Sequence, residues 1–409
     1  MNERPDEVEQ RLRTSLRRGA DTLPYALDMT TGAVARARRI RRGRRVATGA
    51  AALAVVAVAV PVGLQATDSQ RAGEPPTSPA TQEGDGPRKV DLDLATMSAG
   101  ARPAVPFAQN GVFFLAGDAG SVDLQSLSSF DAVAWGDVAA VTESYDDGRE
   151  QRLYVYDPTS DMQTRDVLVE EGAVSTVASA DHRWLAYVDA GEGEAVGTVT
   201  VADADTGASE GFELVDRSTE LLAVADGTVF WQSGGGGETP TLQAWSAAGG
   251  PIDIGIIDAT AVSGDGTVAS AVTERPADGS CHGLFEVPDG EQQWRTCDWT
   301  PESISPGGRW VYAEPASTDG YGPVEVAVLD AYTGEVVRTV RFGTGEDVGF
   351  FRDAEWESAD TLLLQVEAAS QAALVRVDVG TGEASTAMPP VPYAGLDAAD
   401  PEPPPYQLG

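Results

Sequence analysis

Between residues 89 and 388 the apolar positions fall in short runs that alternate with polar ones. Alternation of period two puts every second side chain on one face of a strand. Val, Leu, Tyr and Trp fill these runs, as a half-buried pleated surface favours. One unit recurs: a short strand, a tight turn, a hydrophobic strand, a polar loop, a strand ending in Asp, a Thr-Gly turn and a last strand. The first turn is clearest at Ser305 to Ala313 (SPGGRWVYA) and Ser179 to Tyr187 (SADHRWLAY), with looser copies at Ala225 to Trp231, Ser263 to Ser270 and Ser358 to Leu364. The second turn recurs about twenty residues later, at Tyr156 to Asp161, Asp203 to Gly207, Asp330 to Glu335 and Asp378 to Glu383. Asp-Gly and Gly-Gly supply the positive φ of a two-residue hairpin turn.

Units begin near residues 92, 131, 174, 217, 258, 299 and 346, a spacing of 39 to 47. A four-stranded propeller blade takes roughly 40–50 residues. The expected fold is therefore all-β: a β-propeller of about seven blades, with six and eight as neighbouring counts. A two-sheet sandwich is second choice, because it gives no reason for the period. The first unit is short, with strands expected at Ala104 to Phe107, Val112 to Ala116 and Val122 to Leu127. Val90 to Met97 is expected to be a spare strand that closes the ring against the last blade. Trp184, Trp231, Trp310 and Trp356 recur inside the strand repeat and are expected in the core.

Upstream the pattern changes. Val46 to Leu64 carries no charge over nineteen residues, which as a helix covers roughly the 30 Å of a bilayer core. Seven arginines lie between Arg36 and Arg45, against Asp68, Arg71 and Glu74 on the other flank. Lys and Arg stay on the cytoplasmic side of a span, so the N-terminus is expected inside and the C-terminus outside. A cleaved signal peptide is the alternative; the basic region is longer than a usual n-region and the apolar run exceeds the usual 7–15 residues. The division expected is a basic cytoplasmic tail (1–45), a transmembrane helix (46–66), a flexible linker (67–88), the propeller (89–388) and a disordered Pro-rich tail (389–409). Within the cytoplasmic tail, Val8, Leu12 and Leu16 share a stripe of a short helix. That stripe is either a docking peptide for a cytoplasmic protein or part of a solvated anchor.

Charge sharpens this division. Residues 1–45 hold 12 Arg and 6 acids, and the remainder holds 16 basic and 58 acidic residues. So negative a domain lacks the phosphate-neutralising groups of nucleic-acid binding, and no nucleic-acid partner is expected. The expected partners are the membrane and a protein or cell-envelope ligand. The expected location is the cell membrane, single-pass, with the propeller outside.

The paired turns at 305–312 and 330–335 resemble those of WD-repeat-like and TolB-like β-propellers, over about 300 residues. The paired Gly-His and Trp-Asp signature of each WD repeat is missing, so the first label is loose. The short tail resembles those of bacterial single-span regulators, including anti-sigma factors, but holds no His or Cys and departs from the zinc-binding kind. These resemblances imply a fold and two roles: an extracytoplasmic binding module, or a transmembrane regulator whose propeller is the sensor.

The chemistry is sparse. Cys281 and Cys297 bracket two expected antiparallel strands, Gly283 to Val287 and Gln292 to Cys297, which brings them within disulfide reach. An oxidising exterior would keep the bond, and two unpaired thiols are the alternative. With His282 they make three metal donors, one short of a zinc site. His182 and His282 are the only histidines. No Ser/His/Asp triad, phosphate loop or dinucleotide fingerprint assembles. Neither an enzyme nor a cofactor is therefore expected. In a propeller the first-to-second strand turns share one face, while the second-to-third loops and inter-blade loops share the other. The latter are longer here, and function gathers on such loops. The binding candidates are Tyr145, Asp146, Glu192, Asp278, His282, Asp319 and Tyr321.

Overall fold

The chain was analysed as a computed structural model. It describes residues 88–117, 119–125, 130–145, 150–159, 165–169, 173–189, 197–214, 219–233, 239–276, 279–317, 322–343, 349–368, 370–393 and 404–408. The expected tail, span and linker up to residue 87 lie outside the described residues.

Seven sheets, six of four antiparallel strands and one of the same four extended by a fifth, form a seven-bladed β-propeller. Blade 1 combines Phe107–Gln109, Val112–Phe114 and Ser121–Asp123 with the C-terminal strand Tyr406–Leu408. The next five span Phe130–Val169 (blade 2), Ala173–Leu214 (blade 3), Thr219–Ile257 (blade 4), Ala259–Thr296 (blade 5) and Trp299–Phe342 (blade 6). Phe350–Pro392 is blade 7. The first strands of neighbouring blades contact one another and line the axis, and Tyr406–Leu408 takes that innermost place in blade 1.

Alternation along each strand feeds both neighbours. The buried apolar side chains form seven clusters among the described residues, one at each seam between blades. Trp231, Trp310 and Trp356 are buried, and Trp184 is partly so. Several indoles also bridge seams. Trp135 Nε1 donates to the Arg183 carbonyl of blade 3 (3.2 Å), Trp294 Nε1 to that of Ala331 in blade 6 (2.7 Å) and Trp310 Nε1 to Asp360 of blade 7 (2.7 Å).

The repeated turns follow from repeated residues. Ser179, Ser263 and Ser305 each accept through Oγ from the backbone N–H five residues on, at 2.8, 3.1 and 3.0 Å. Asp203, Asp330 and Asp378 accept from N–H groups two or three residues on, closing Asx turns. A backbone bond ties the two turns of a blade together: Ala204 to the Arg183 carbonyl, Ala331 to that of Arg309, Val379 to that of Asp360. In the first turn Gly266 and Gly308 have φ of 68° and 65°, and His182 occupies the same place at 57°. A residue with a Cβ is strained there.

Two segments differ from expectation. The N-terminal strand is Arg88–Leu92, and it adds in parallel to the outer edge of blade 6, beside Arg338–Phe342, not to the last blade. Val90 and Leu92 sit in the seam between blades 6 and 7 and so cover that edge with apolar contact. The 389–409 segment is not a tail throughout: the last strand of blade 7 runs to Pro392, and Tyr406–Leu408 pairs with Phe107–Gln109 to close the ring. Tyr406 is fully buried, and its phenol donates to the Pro389 carbonyl at 2.8 Å. Burial of one Tyr and one Leu outweighs the Pro-rich composition around them.

Between these ends runs a strap, residues 93–106. Ser98 and Gly100 bond to Thr386 on the outer strand of blade 7. Arg376 then donates to the Ala101 and Arg102 carbonyls (3.0 and 3.2 Å) and to Glu357 (2.8 Å). Glu357 in turn accepts the Ala104 N–H at 2.8 Å. The Glu357 side chain is 3 % exposed and that of Arg376 20 %, so removing one leaves the other desolvated and unpaired. We expect Arg376→Met to lower unfolding free energy by ~3 kcal/mol and to open the strap to limited proteolysis. An unchanged denaturation midpoint would show that the pair does not hold the strap.

Candidate functional site

Strand direction assigns the two faces. First-to-second and third-to-fourth strand turns lie together, and their Ser and Asx turns keep that face tight. The second-to-third loops and the inter-blade links lie on the opposite, loop face. Tyr145 ends the second strand of blade 2 at this face. Asp146, Glu192, Asp278, Asp319 and Tyr321 lie outside the described residues. The strands that flank them, such as Trp184–Asp189 and Gly197–Asp203 or Trp310–Pro315 and Glu325–Asp330, end at the loop face.

His282 has a different setting from a surface loop. It is the second residue of the strand Cys281–Glu286 and is 3 % exposed. Its Nε2 lies 2.7 Å from Ser280 Oγ, and its Nδ1 is buried without a partner. Burial, then the nearby Arg275 guanidinium, pushes its pKa down to about 4. Opposite it in the register stands Thr296, so the next pair outward is Cys281 and Cys297, which form a disulfide. The disulfide expected from the strand register is therefore present. It ties the third strand of blade 5 to the start of the link into blade 6. Two ion pairs flank it, Arg275 with Asp258 and Arg295 with Glu274. Neither pair was visible in the sequence, because its partners are 17 and 21 residues apart and meet only through the strand pairing.

The innermost strands carry Asp131, Glu220, Glu302 and Asp353, all partly buried. Blades 3 to 7 share a device there. Their first strands carry a β-bulge at Val174, Leu222, Thr260, Glu302 and Arg352. A bulge re-aims the residues around it and strengthens local twist. Sequence alternation hides it, because one extra residue breaks the period it would have to be read from. Among the described residues no three His, Cys, Asp or Glu side chains gather to hold a metal ion.

A pH effect follows from His282. Its folded pKa lies below the ordinary value of 6.5, so between 6.5 and about 4 the unfolded chain binds the extra proton. Stability is lost as pH falls through that window, by about 3 kcal/mol at most from this group. We expect His282→Gln to lose less stability than the parent chain when the denaturation midpoint is followed across it. Parallel curves for the two chains would remove His282 as the cause.

No protein-family model matches the chain, and no curated protein matches it. Solved structures similar to it include the β-propeller domain of the trilobed protease from Pyrococcus furiosus, at 16 % identity and a TM-score of 0.43, covering 63 % of this chain and 83 % of that one. TolB from Acinetobacter baumannii matches at 12 % identity and a TM-score of 0.38, over 63 % of this chain and 62 % of that one. Pyrococcus horikoshii acylaminoacyl peptidase matches at 12 % and 0.43, over 63 % of this chain, and this chain spans less than half, 45 %, of the peptidase. Similar propellers thus occur within peptidase chains, so the expectation that this chain is not an enzyme is withdrawn. What these comparisons share with the chain is the propeller fold.

Proposed function

We propose that this chain is a membrane-anchored propeller whose loop face binds a protein or cell-envelope ligand on the extracytoplasmic side. The observation that carries this reading is where the polypeptide enters. Arg88 pairs with Arg338, at the start of the outer strand of blade 6, and the entering strand runs from there toward the loop face. The segment that precedes residue 88 therefore joins the propeller at its tight-turn face. An anchor at 46–66 would hold that face nearer the membrane and present the loop face outward. The disulfide fits an oxidising compartment. The excess of carboxylates after residue 45 favours a neutral or basic partner over a nucleic acid.

A second reading is favoured by one feature of the tail. Val8, Leu12 and Leu16 make an apolar stripe that a membrane anchor does not need. In that reading residues 1–45 hold a cytoplasmic protein and the propeller senses.

One comparison separates the two. Partners are captured from membranes with the intact chain, with an alanine set at Tyr145, Asp146, Glu192, Asp278, Asp319 and Tyr321, with a tight-turn set including the exposed Tyr332, and without residues 1–30. We expect the loop set to lose an extracytoplasmic partner that the other variants keep. Loss of that partner only from the tight-turn set would overturn the loop-face reading. Loss of a cytoplasmic protein only on removing residues 1–30 would favour the regulator.

A further inference from the structure

The innermost strand of blade 7, Phe350–Trp356, holds a carboxyl with no cation to match it. Ala354 and Trp356 pack with blade 6, so alternation turns Glu355 to the other face, toward blade 1. There it shares a row with Leu363 and Arg376. Leu363 packs with Phe107, Tyr406 and Leu408 across the closing seam. Glu355 is 3 % exposed, and its Oε2 has no hydrogen-bond partner.

The charged groups around it are already engaged. On blade 7, Glu367 takes Arg352 at 2.6 Å and Glu357 takes Arg376 at 2.8 Å. Asp353 stands two residues before Glu355 on the same strand. Four carboxyls thus meet two arginines on this side of the seam. Blade 1 and the strap add the Tyr406 phenol, bonded to the Pro389 carbonyl, and Arg102, stacked 4.1 Å from the Phe114 ring centroid. Burial, reinforced by Asp353 and Glu357, pushes the Glu355 carboxyl well above its ordinary range. A buried carboxylate without a partner is among the most costly groups a fold can hold, and a Gln of the same shape would avoid that cost.

We propose that the seam between blade 7 and blade 1 is a proton-operated latch: the ring stays closed while Glu355 is protonated, and loss of that proton releases Tyr406–Leu408 from blade 7 before the other seams open. The folded state holds the extra proton here. Stability at this seam therefore falls as pH rises from the ordinary carboxyl range through the folded pKa. Burial also raises the Tyr406 phenol above its ordinary value of 10.0, so its titration comes later than mildly alkaline pH.

Hydrogen exchange on the intact chain, from the ordinary carboxyl range to mildly alkaline pH, tests this. Protection factors are used because they remove the intrinsic pH dependence of exchange. We expect the protection of Tyr406–Leu408 and of its partner strand Phe107–Gln109 to fall by up to about tenfold per pH unit between the ordinary carboxyl range and the folded Glu355 pKa, and to level off above it. Blade 4 amides, exposed only when the whole ring opens, should lose less. In Glu355→Gln the closing strand should stay protected throughout, and Glu355→Leu serves the same purpose if the amide variant folds poorly. Equal pH profiles in the parent and both variants would overturn the proposal. So would loss of protection in blade 4 in step with the closing strand, since the ring would then open as one unit.

Discussion

Each blade of this ring is apolar on both faces, and only its two neighbours can cover them. Six of the seven seams join blades that are consecutive in the chain. The seventh, between blades 7 and 1, joins the two ends of the propeller and depends on three residues, Tyr406–Leu408. Without them Leu363, Ala372 and Leu374 of blade 7 and Phe107 of blade 1 would lose their cover. Closure brings together residues such as Gln109 and Tyr406, 297 positions apart. Its entropic cost is met once and late, after the local hairpins have formed.

The closing region is also where polar groups enter the core. Blades 2 to 5 are linked by short covalent connections and pack mainly through apolar side chains and indole bridges. Around blades 6, 7 and 1 the chain relies on directional bonds instead. Buried Arg338 donates to the Val379 carbonyl at 2.7 Å, and Arg376 and Glu357 clamp the strap. Burial, then the nearby Arg88 guanidinium, lowers the Arg338 pKa. Such bonds fix register where there is no short loop to fix it, at a desolvation cost that an apolar seam would not carry. Glu355 lies at the same place, which makes the closing seam the part of the ring most open to control by protonation.

Much of this architecture was legible in the sequence, because propeller blades are built from local hairpins. The Ser and Asp-Thr-Gly turns, the unit starts near 131, 174, 217, 258 and 299, the core tryptophans and the Cys281–Cys297 pairing all depend on contacts between nearby strands. Those read from periodicity and turn chemistry. The ends were not legible. Tyr406–Leu408 is too short to show alternation and stands among prolines. Arg88–Leu92 pairs in parallel with a strand some 250 residues away, a choice set by tertiary packing and not by its own pattern. His282 was read as a loop residue because polar neighbours surround it; the strand takes it in because it lies opposite Thr296, one pair inside the disulfide. The bulges in blades 3 to 7 and the unpaired Glu355 carboxyl depend on which face a side chain meets, and composition carries no trace of that.

The most direct test of ring closure is to end the chain at Pro403 and follow denaturant unfolding by two probes, tryptophan fluorescence and the exchange of blade 4 amides. The loss of a buried Tyr and Leu should cost roughly 3–6 kcal/mol. If the seventh seam holds the ring, both probes will shift together to a lower midpoint, because uncovering one seam weakens all of them. A truncated chain with the midpoint of the intact one would mean that the propeller is stable as an open ring, and that the strand Tyr406–Leu408 does not close it in any energetic sense.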